Sequence, residues 1–330
     1  LPEYVDGEKL RHIWETLTDG TPVVVTAHRM ADGDAIGSVL SLWHALRAEG
    51  IDAQALFEPP VKPELLFLPG ADQRIEEIDG LPDAYHLAVL DAGEFDRIGA
   101  WHGELTGRDR TVCIDHHAST DDFGDVCVAP VEASSTGELV YHLLRVAGAE
   151  ITRQIADCLY TAIITDTGQF AFENTTPACM EACAEFLRMG VNSAAMADRL
   201  FHSQTEAQFK LRQLAMGTLE TSHAGRVASV YISGEMFEKT DLHPIHTDRF
   251  ANIPLHIDGV LAGVLLKQMP DDGKIKVSLR SRPPVDVCVV AEHFGGGGHV
   301  RAAGCRFEGS IEEARRSIVE QIALQLPDDN

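Results

Sequence analysis

Residues 22–49 read PVVVTAHRMADGDAIGSVLSLWHALRAE, and this stretch decides the fold class. The apolar run from Pro22 to His28 is continuous rather than alternating, as expected of a strand covered on both faces. From Ala35 to Glu49 the period changes: Ile36, Val39, Leu40, Trp43 and Leu46 recur at helical spacing. Between the two lies a turn containing Gly33 and carrying His28, Asp32 and Asp34. Two further β-branched runs, His86 to Leu90 and Thr111 to Ile114, are each followed at once by an aspartate, Asp91 and Asp115. Short buried strands alternating with helices predict a parallel sheet with crossover helices, an α/β fold. Ligands of such sheets bind at the carboxyl ends of the strands, so three separate segments converge on one edge by topology alone.

Downstream, Ser134 to Gly148 reads as a helix opened by a Ser-Ser-Thr cluster able to cap it. Ile151 to Thr165 is a second helix, delivering Asp166 at its C-terminus. Helical patterns continue from Pro177 to about Ser222, after which composition shifts. Arg226 to Ser233, Gly259 to Met269 and Lys274 to Ser281 read as strands, the last two joined by a Pro270-Asp271-Asp272-Gly273 hairpin turn. Val285 to Phe294 and Ile311 to Leu326 read as helices on that sheet. The expected organisation is a catalytic domain over 1–190, a helical connector over 191–222 and a smaller α/β domain over 223–330, with the active cleft between the domains. No internal repeat and no low-complexity segment interrupts it.

Length supports two cores, since single domains usually run about 100 to 200 residues. No apolar stretch approaches the roughly 20 residues that span a bilayer, and Leu1 to Arg11 lacks the basic flank and apolar core of a signal peptide. Seven scattered cysteines predict buried free thiols in a reducing compartment, hence a cytoplasmic protein with no membrane partner. Cys179 and Cys183 sit one helical turn apart, but no second pair completes a zinc site. The net charge of −24 argues against binding long nucleic acid. It is unevenly spread: residues 273–306 hold six basic residues (Lys274, Lys276, Arg280, Arg282, Arg301, Arg306) against Asp286 and Glu292, a local +4. A short phosphorylated substrate fits that island better than a long polyanion.

Four segments therefore carry metal-binding side chains: His28 with Asp32 and Asp34, Asp91, Asp115-His116-His117, and Asp166. A solvated Asp-Gly turn would account for the first segment alone. Adjacent histidines ending a strand point to opposite sides, however, and cannot both be core residues. Asp166 faces an unfavourable helix dipole that a nearby cation would offset. Carboxylates mixed with imidazoles suit two divalent ions that keep open positions for phosphate oxygen and water. Gly295 to Gly298 followed by His299 is no dinucleotide fingerprint, because the spacing is wrong. Side-chain-free residues ahead of a helix would let backbone amides approach a phosphate. Gly296, Gly297, Gly298, His299, Arg301 and Arg280 are the expected substrate-binding residues, whereas Phe294 and Phe307 read as core.

The segments HRMADGDAIGS, VLDAGE, IDHHAS and ITDTGQF, followed by KVSLRSR and FGGGGHVRAAG, resemble the DHH phosphoesterase superfamily with its DHHA1 C-terminal domain. The short two-domain form is similar to bacterial nanoRNase and 3′-phosphoadenosine-5′-phosphate phosphatase enzymes. The resemblance implies that His28 and Asp32 bind one metal, Asp34, His116 and Asp166 the other, and that Asp91 bridges them. His117 would face the phosphoryl or leaving oxygens. Two Mn²⁺ are the expected ions, with Mg²⁺ or Co²⁺ as alternatives. Short relatives often pair, so a homodimer is left open. The chain departs from the common pattern at Met30-Ala31, where Pro often precedes the Asp, and at Ala171, where a polar or basic residue often follows Phe170.

The implied reaction is hydroxide attack in line on phosphorus, releasing nucleoside 5′-monophosphates from dinucleotides or other short RNA or DNA oligonucleotides, or AMP from 3′-phosphoadenosine-5′-phosphate. Three alternatives stand beside it: a cyclic-di-AMP phosphodiesterase, an inorganic pyrophosphatase or short polyphosphatase, and a catalytically dead nucleotide sensor on the same scaffold. A sensor would be free to lose a ligand, and none is lost.

Overall fold

The computed structural model describes residues 1–118, 120–121 and 123–327; Ser119, which ends the IDHHAS segment, lies outside them. The chain divides into two compact units, Leu1–Ser203 and Gln204–Asn330.

The first unit is built on five parallel strands, β1 (Val23–Ala27), β2 (Ala53–Leu56), β3 (Tyr85–Leu90), β4 (Arg108–Ile114) and β5 (Val126–Val128), in the order β2-β1-β3-β4-β5. Every residue of β1 and β3 is buried, the signature of a sheet covered on both faces. The chain reverses its direction of growth between β1 and β3, where a parallel sheet opens a crevice at its carboxyl edge. His28 and Asp91 follow those two strands directly. Sequence reasoning starts β4 only at Thr111, because Arg108, Asp109 and Arg110 are exposed and polar. It passes over β2 and β5, which are short and carry little apolar signal, and the helix α1 (Gly7–Leu17), capped by Asp6.

The longer helices that follow α1 in this unit are α2 (Gly33–Ala48), α3 (Thr136–Ala147), α4 (Arg153–Asp166) and α5 (Pro177–Arg188). Glycines bring α2, α3 and α4 unusually close. A Cβ at Gly37 would stand 2.5 Å from the Cys158 carbonyl, one at Gly33 2.3 Å from Thr165 Oγ1, and one at Gly137 2.4 Å from the Ala162 Cβ. That tight approach sets the first residues of α2 and α3 beside the last turn of α4. A short helix α6 (Ser193–Ala197) runs into a π-helical turn, Asp198–His202, before the second unit.

The second unit holds α7 (Glu206–Met216), β6 (Glu220–Ser222), β7 (Val227–Ile232), α8 (Gly234–Thr240), β8 (Ala262–Gln268), β9 (Ile275–Ser281), α9 (Val287–His293), β10 (Gly297–His299), β11 (Ala302–Phe307) and α10 (Ile311–Ala323). Its sheet runs β10-β11-β9-β8-β7-β6, antiparallel except for the β7–β8 pair. Two expectations are corrected. The helical run does not continue to Ser222: β6 is a short edge strand paired with β7. The glycine run does not precede a helix; it follows α9 and turns into the β10–β11 hairpin. A Cβ at Gly296 would stand 2.2 Å from the Gly304 carbonyl and one at Gly298, with φ +145°, 2.5 Å from that of Ala302. Close backbone approach within the hairpin explains these two glycines without a ligand. Phe294 and Phe307 pack together beside the core, ring centroids 6.0 Å apart, as expected.

All seven cysteines are free. Among the described residues, no helix is long and apolar enough to cross a membrane.

Candidate metal centre

The carboxyl edge of the first sheet gathers the predicted side chains into overlapping groups, two of which hold the expected metal ligands. His28, Asp32 and Asp91 form one, and Asp34, Asp91 and His116 the other; within each, the donor atoms lie within 4.8 Å of one another. Asp91 belongs to both. Its Oδ2 lies 3.6 Å from His28 Nε2, while Oδ1 lies 3.7 Å from His116 Nε2. His28 Nε2 is also 4.0 Å from Asp32 Oδ1, and Asp166 Oδ2 approaches His116 Nε2 at 3.6 Å.

The imidazoles are oriented for coordination. His116 Nδ1 is 3.2 Å from the Ala133 carbonyl, which can only accept, so Nδ1 carries the proton. Nε2 then points a lone pair at Asp34, Asp91 and Asp166 from 3.6 to 3.7 Å. One imidazole nitrogen and three carboxylates gathered around one point suit a cation among them. His28 repeats the arrangement, its Nδ1 2.8 Å from the Arg29 carbonyl. Such carbonyl partners are the usual orienting shell of metal-binding histidines.

Electrostatics give the same result. Burial, with Asp166 next in size, pushes the Asp34 carboxyl up to about 7. Burial and the neighbouring Asp34 push Asp91 well above the ordinary carboxyl range. Burial alone would lower His116, but Asp166, Asp34 and Asp91 outweigh it and raise the imidazole to about 9. A site that holds protons this firmly lacks positive charge, and divalent cations supply it. The donor set therefore fits metal ions.

Asp115 plays a different part from its neighbours. It is wholly buried, and it accepts from the amides of Gly93 (2.5 Å), His116 (2.7 Å) and His117 (3.2 Å), from His117 Nδ1 (2.7 Å) and from Thr120 Oγ1 (2.8 Å). These bonds hold its carboxyl far below the usual range, although burial opposes them. Asp115 thus orients His117 through its Nδ1.

Sequence reasoning missed two residues. Thr136, at the start of α3, gives its amide to Asp34 Oδ2 (2.7 Å) and its hydroxyl to Asp91 Oδ1 (3.1 Å), and Gly137 gives its amide to Asp34 Oδ1 (2.9 Å). Asn174 Nδ2 lies 3.1 Å from Asp166 Oδ2 and 2.8 Å from the Ser134 carbonyl. The Ser-Ser-Thr cluster was legible only as a helix cap, a role that Ser135 fills. Asn174 carries no local signal.

In the second unit, register places His299 opposite Ala302, and Ala302 opposite Arg280. Directly paired residues share a face, so His299 and Arg280 flank a small residue on one side of the sheet. Lys276 and Ser278 continue that side along β9, whose alternate residues are buried. Arg301 is occupied differently: its Nη1 donates to the Val285 carbonyl at 2.6 Å. Gly297 is exposed, with nothing within 4 Å of where its Cβ would be.

Residues 22–163 match the DHH family, N-terminal domain, and residues 225–325 match the DHHA1 domain. The bifunctional oligoribonuclease and PAP phosphatase NrnA of Thermus thermophilus is 32% identical over 98% of this chain and 97% of its own length. The Bacillus subtilis protein of the same name is 27% identical over 90% of this chain and 93% of its own. The crystal structure of an exopolyphosphatase-related protein from Bacteroides fragilis matches with a TM-score of 0.90 at 26% identity, covering 98% of this chain and 99% of that one. The chain belongs to the DHH family. It is a hydrolase acting on phosphoester bonds.

Proposed function

We propose that the protein hydrolyses short oligonucleotides, dinucleotides above all, to nucleoside 5′-monophosphates, and 3′-phosphoadenosine-5′-phosphate to AMP, with two Mn²⁺ ions. The observation that carries the metal reading is His116 Nε2 facing three carboxylates across gaps of 3.6 to 3.7 Å. The near full-length likeness to relatives named for both activities supports the substrate class. His28 and Asp32 would hold one ion, Asp34, His116 and Asp166 the other, and Asp91 both. When bound, such ions polarise phosphoryl oxygens and lower the pKa of a water. His117, its Nδ1 fixed on Asp115, offers Nε2 to the phosphoryl or leaving oxygen and stabilises the charge developing there.

Arg280 and His299 would bind the substrate's terminal phosphate, with the Gly297 amide beside them and Arg301 bracing the segment through Val285. Manganese suits a mixed imidazole and carboxylate shell better than magnesium, which keeps more of its water. The test is turnover by purified protein with Mn²⁺ across a dinucleotide, 3′-phosphoadenosine-5′-phosphate, cyclic di-AMP and pyrophosphate. Turnover of the first two supports the proposal, whereas turnover of only cyclic di-AMP or only pyrophosphate replaces it with that activity.

A further inference from the structure

Thr136 is fully buried and contacts two of the candidate ligands with different groups. Its backbone amide reaches Asp34 Oδ2 at 2.7 Å, and its hydroxyl reaches Asp91 Oδ1 at 3.1 Å. Asp34 has further donors in the Gly137 amide (2.9 Å) and Ser38 Oγ (3.1 Å), so its orientation survives loss of any one of them. Asp91 is less secured. Its φ of 56° lies in the left-handed region, unusual for a residue other than glycine, and its amide donates to the Ile114 carbonyl at 3.0 Å. Among the described residues the Thr136 hydroxyl is the donor within hydrogen-bond distance of its side chain, with His117 Nδ1 beside the same Oδ1 at 3.5 Å and already bonded to Asp115.

That bond holds Oδ1 in the orientation the structure shows. With Oδ1 fixed by Thr136 toward His116, Oδ2 remains directed at His28. A carboxylate free to rotate would chelate one ion with both oxygens and abandon the other. From this geometry we infer that Thr136 is a positioning residue that keeps Asp91 bridging, so that two ions bind instead of one. The inference rests on the two-metal reading above and adds the group that enforces it. The Thr136 amide and hydroxyl both act on the Asp34, Asp91 and His116 group, since Asp91 Oδ1 is the oxygen that faces His116, and they leave Oδ2 to the His28 side.

The decisive comparison is Mn²⁺ titration of wild type, Thr136→Val and Thr136→Ser, followed by calorimetry and by the electron paramagnetic resonance of free Mn²⁺. Valine matches threonine in shape and keeps the amide bond to Asp34, but it lacks the hydroxyl. Wild type and Thr136→Ser should take up two ions with similar affinity. Thr136→Val should bind one ion as wild type does and the second about 10- to 100-fold more weakly, the usual cost of losing an orienting partner. Turnover by Thr136→Val should recover as Mn²⁺ is raised. Two ions bound by Thr136→Val with wild-type affinity would overturn the inference while leaving the two-metal reading intact. Wild type binding no Mn²⁺ would instead overturn that reading. Should the valine variant fail to fold, Thr136→Ala against Thr136→Ser makes the same comparison.

Discussion

Asp91 carries the heaviest demands of any residue in the centre: left-handed backbone, a buried carboxyl with a raised pKa and membership of both donor groups. Asparagine tolerates that backbone and keeps the shape, so Asp91→Asn removes charge without adding strain. Turnover should fall by more than the about 10- to 100-fold typical of outer-shell changes, while the thermal midpoint of metal-free protein is unchanged or higher. Asp34 sets a pH dependence. Its folded-state pKa of about 7 lies above the unfolded value, so its protonated form favours the fold, and metal-free protein loses that stabilisation as pH rises through about 7. Mn²⁺ must displace these protons. Binding should release protons near pH 7, and affinity should climb through 7 and on toward the His116 value of about 9. Calorimetry in two buffers of different ionisation enthalpy counts them; no release would contradict the ligand set. Arg280→Ala should cost roughly 10- to 100-fold in kcat/KM for nucleotides, the worth of one charge-assisted bond at about 1.5 to 3 kcal/mol.

Two elements decide how well these residues are held. The glycine contacts of α2 and α3 with α4 bring Asp34, Thr136 and Asp166 together, and the Cys158 carbonyl that a Cβ at Gly37 would strike is backbone and cannot yield. Gly37→Ala should therefore destabilise the protein by roughly 1 kcal/mol or more in thermal unfolding, overpacking of about 1 to 3 kcal/mol outweighing a helix-propensity gain of about 1. The β10–β11 hairpin separates glycines that close packing requires from one, Gly297, that it does not. Gly298→Ala should lower stability, whereas Gly297→Ala should leave it unchanged and raise KM if the Gly297 amide meets the substrate; an unchanged KM would remove that contact. At this scale the limits of sequence are visible. The strand–turn–helix of residues 22–49 was legible because periodicity changes abruptly between Ala27 and Ala35. The glycine run was misplaced because glycine marks close approach of any backbone, a neighbouring strand as readily as a phosphate. Thr136 was illegible because its partner Asp91 is 45 residues away in the chain, and Asn174, only eight residues from Asp166, because no capping or periodic pattern marks it.

Taken whole, the protein sets a small basic face in a chain of net charge −24. That contrast predicts a preference for short substrates: kcat/KM should fall as oligonucleotides lengthen, and added salt should narrow the difference by screening the repulsion of the longer ones. The candidate site segments were readable because a parallel sheet delivers its strand ends to one edge, and β1, β3 and β4 are followed directly by His28, Asp91 and Asp115. The order β2-β1-β3 then puts His28 and Asp91 on either side of the crevice where such sheets bind ligands. The central claim is a two-metal phosphoesterase acting on short nucleotides, and a single assay tests it most directly: purified protein, stripped of metal and then given Mn²⁺, incubated with a dinucleotide. The account predicts nucleoside 5′-monophosphates with Mn²⁺ and no turnover without it. A dinucleotide left intact with Mn²⁺ present, or cleaved equally well by the stripped protein, would contradict it.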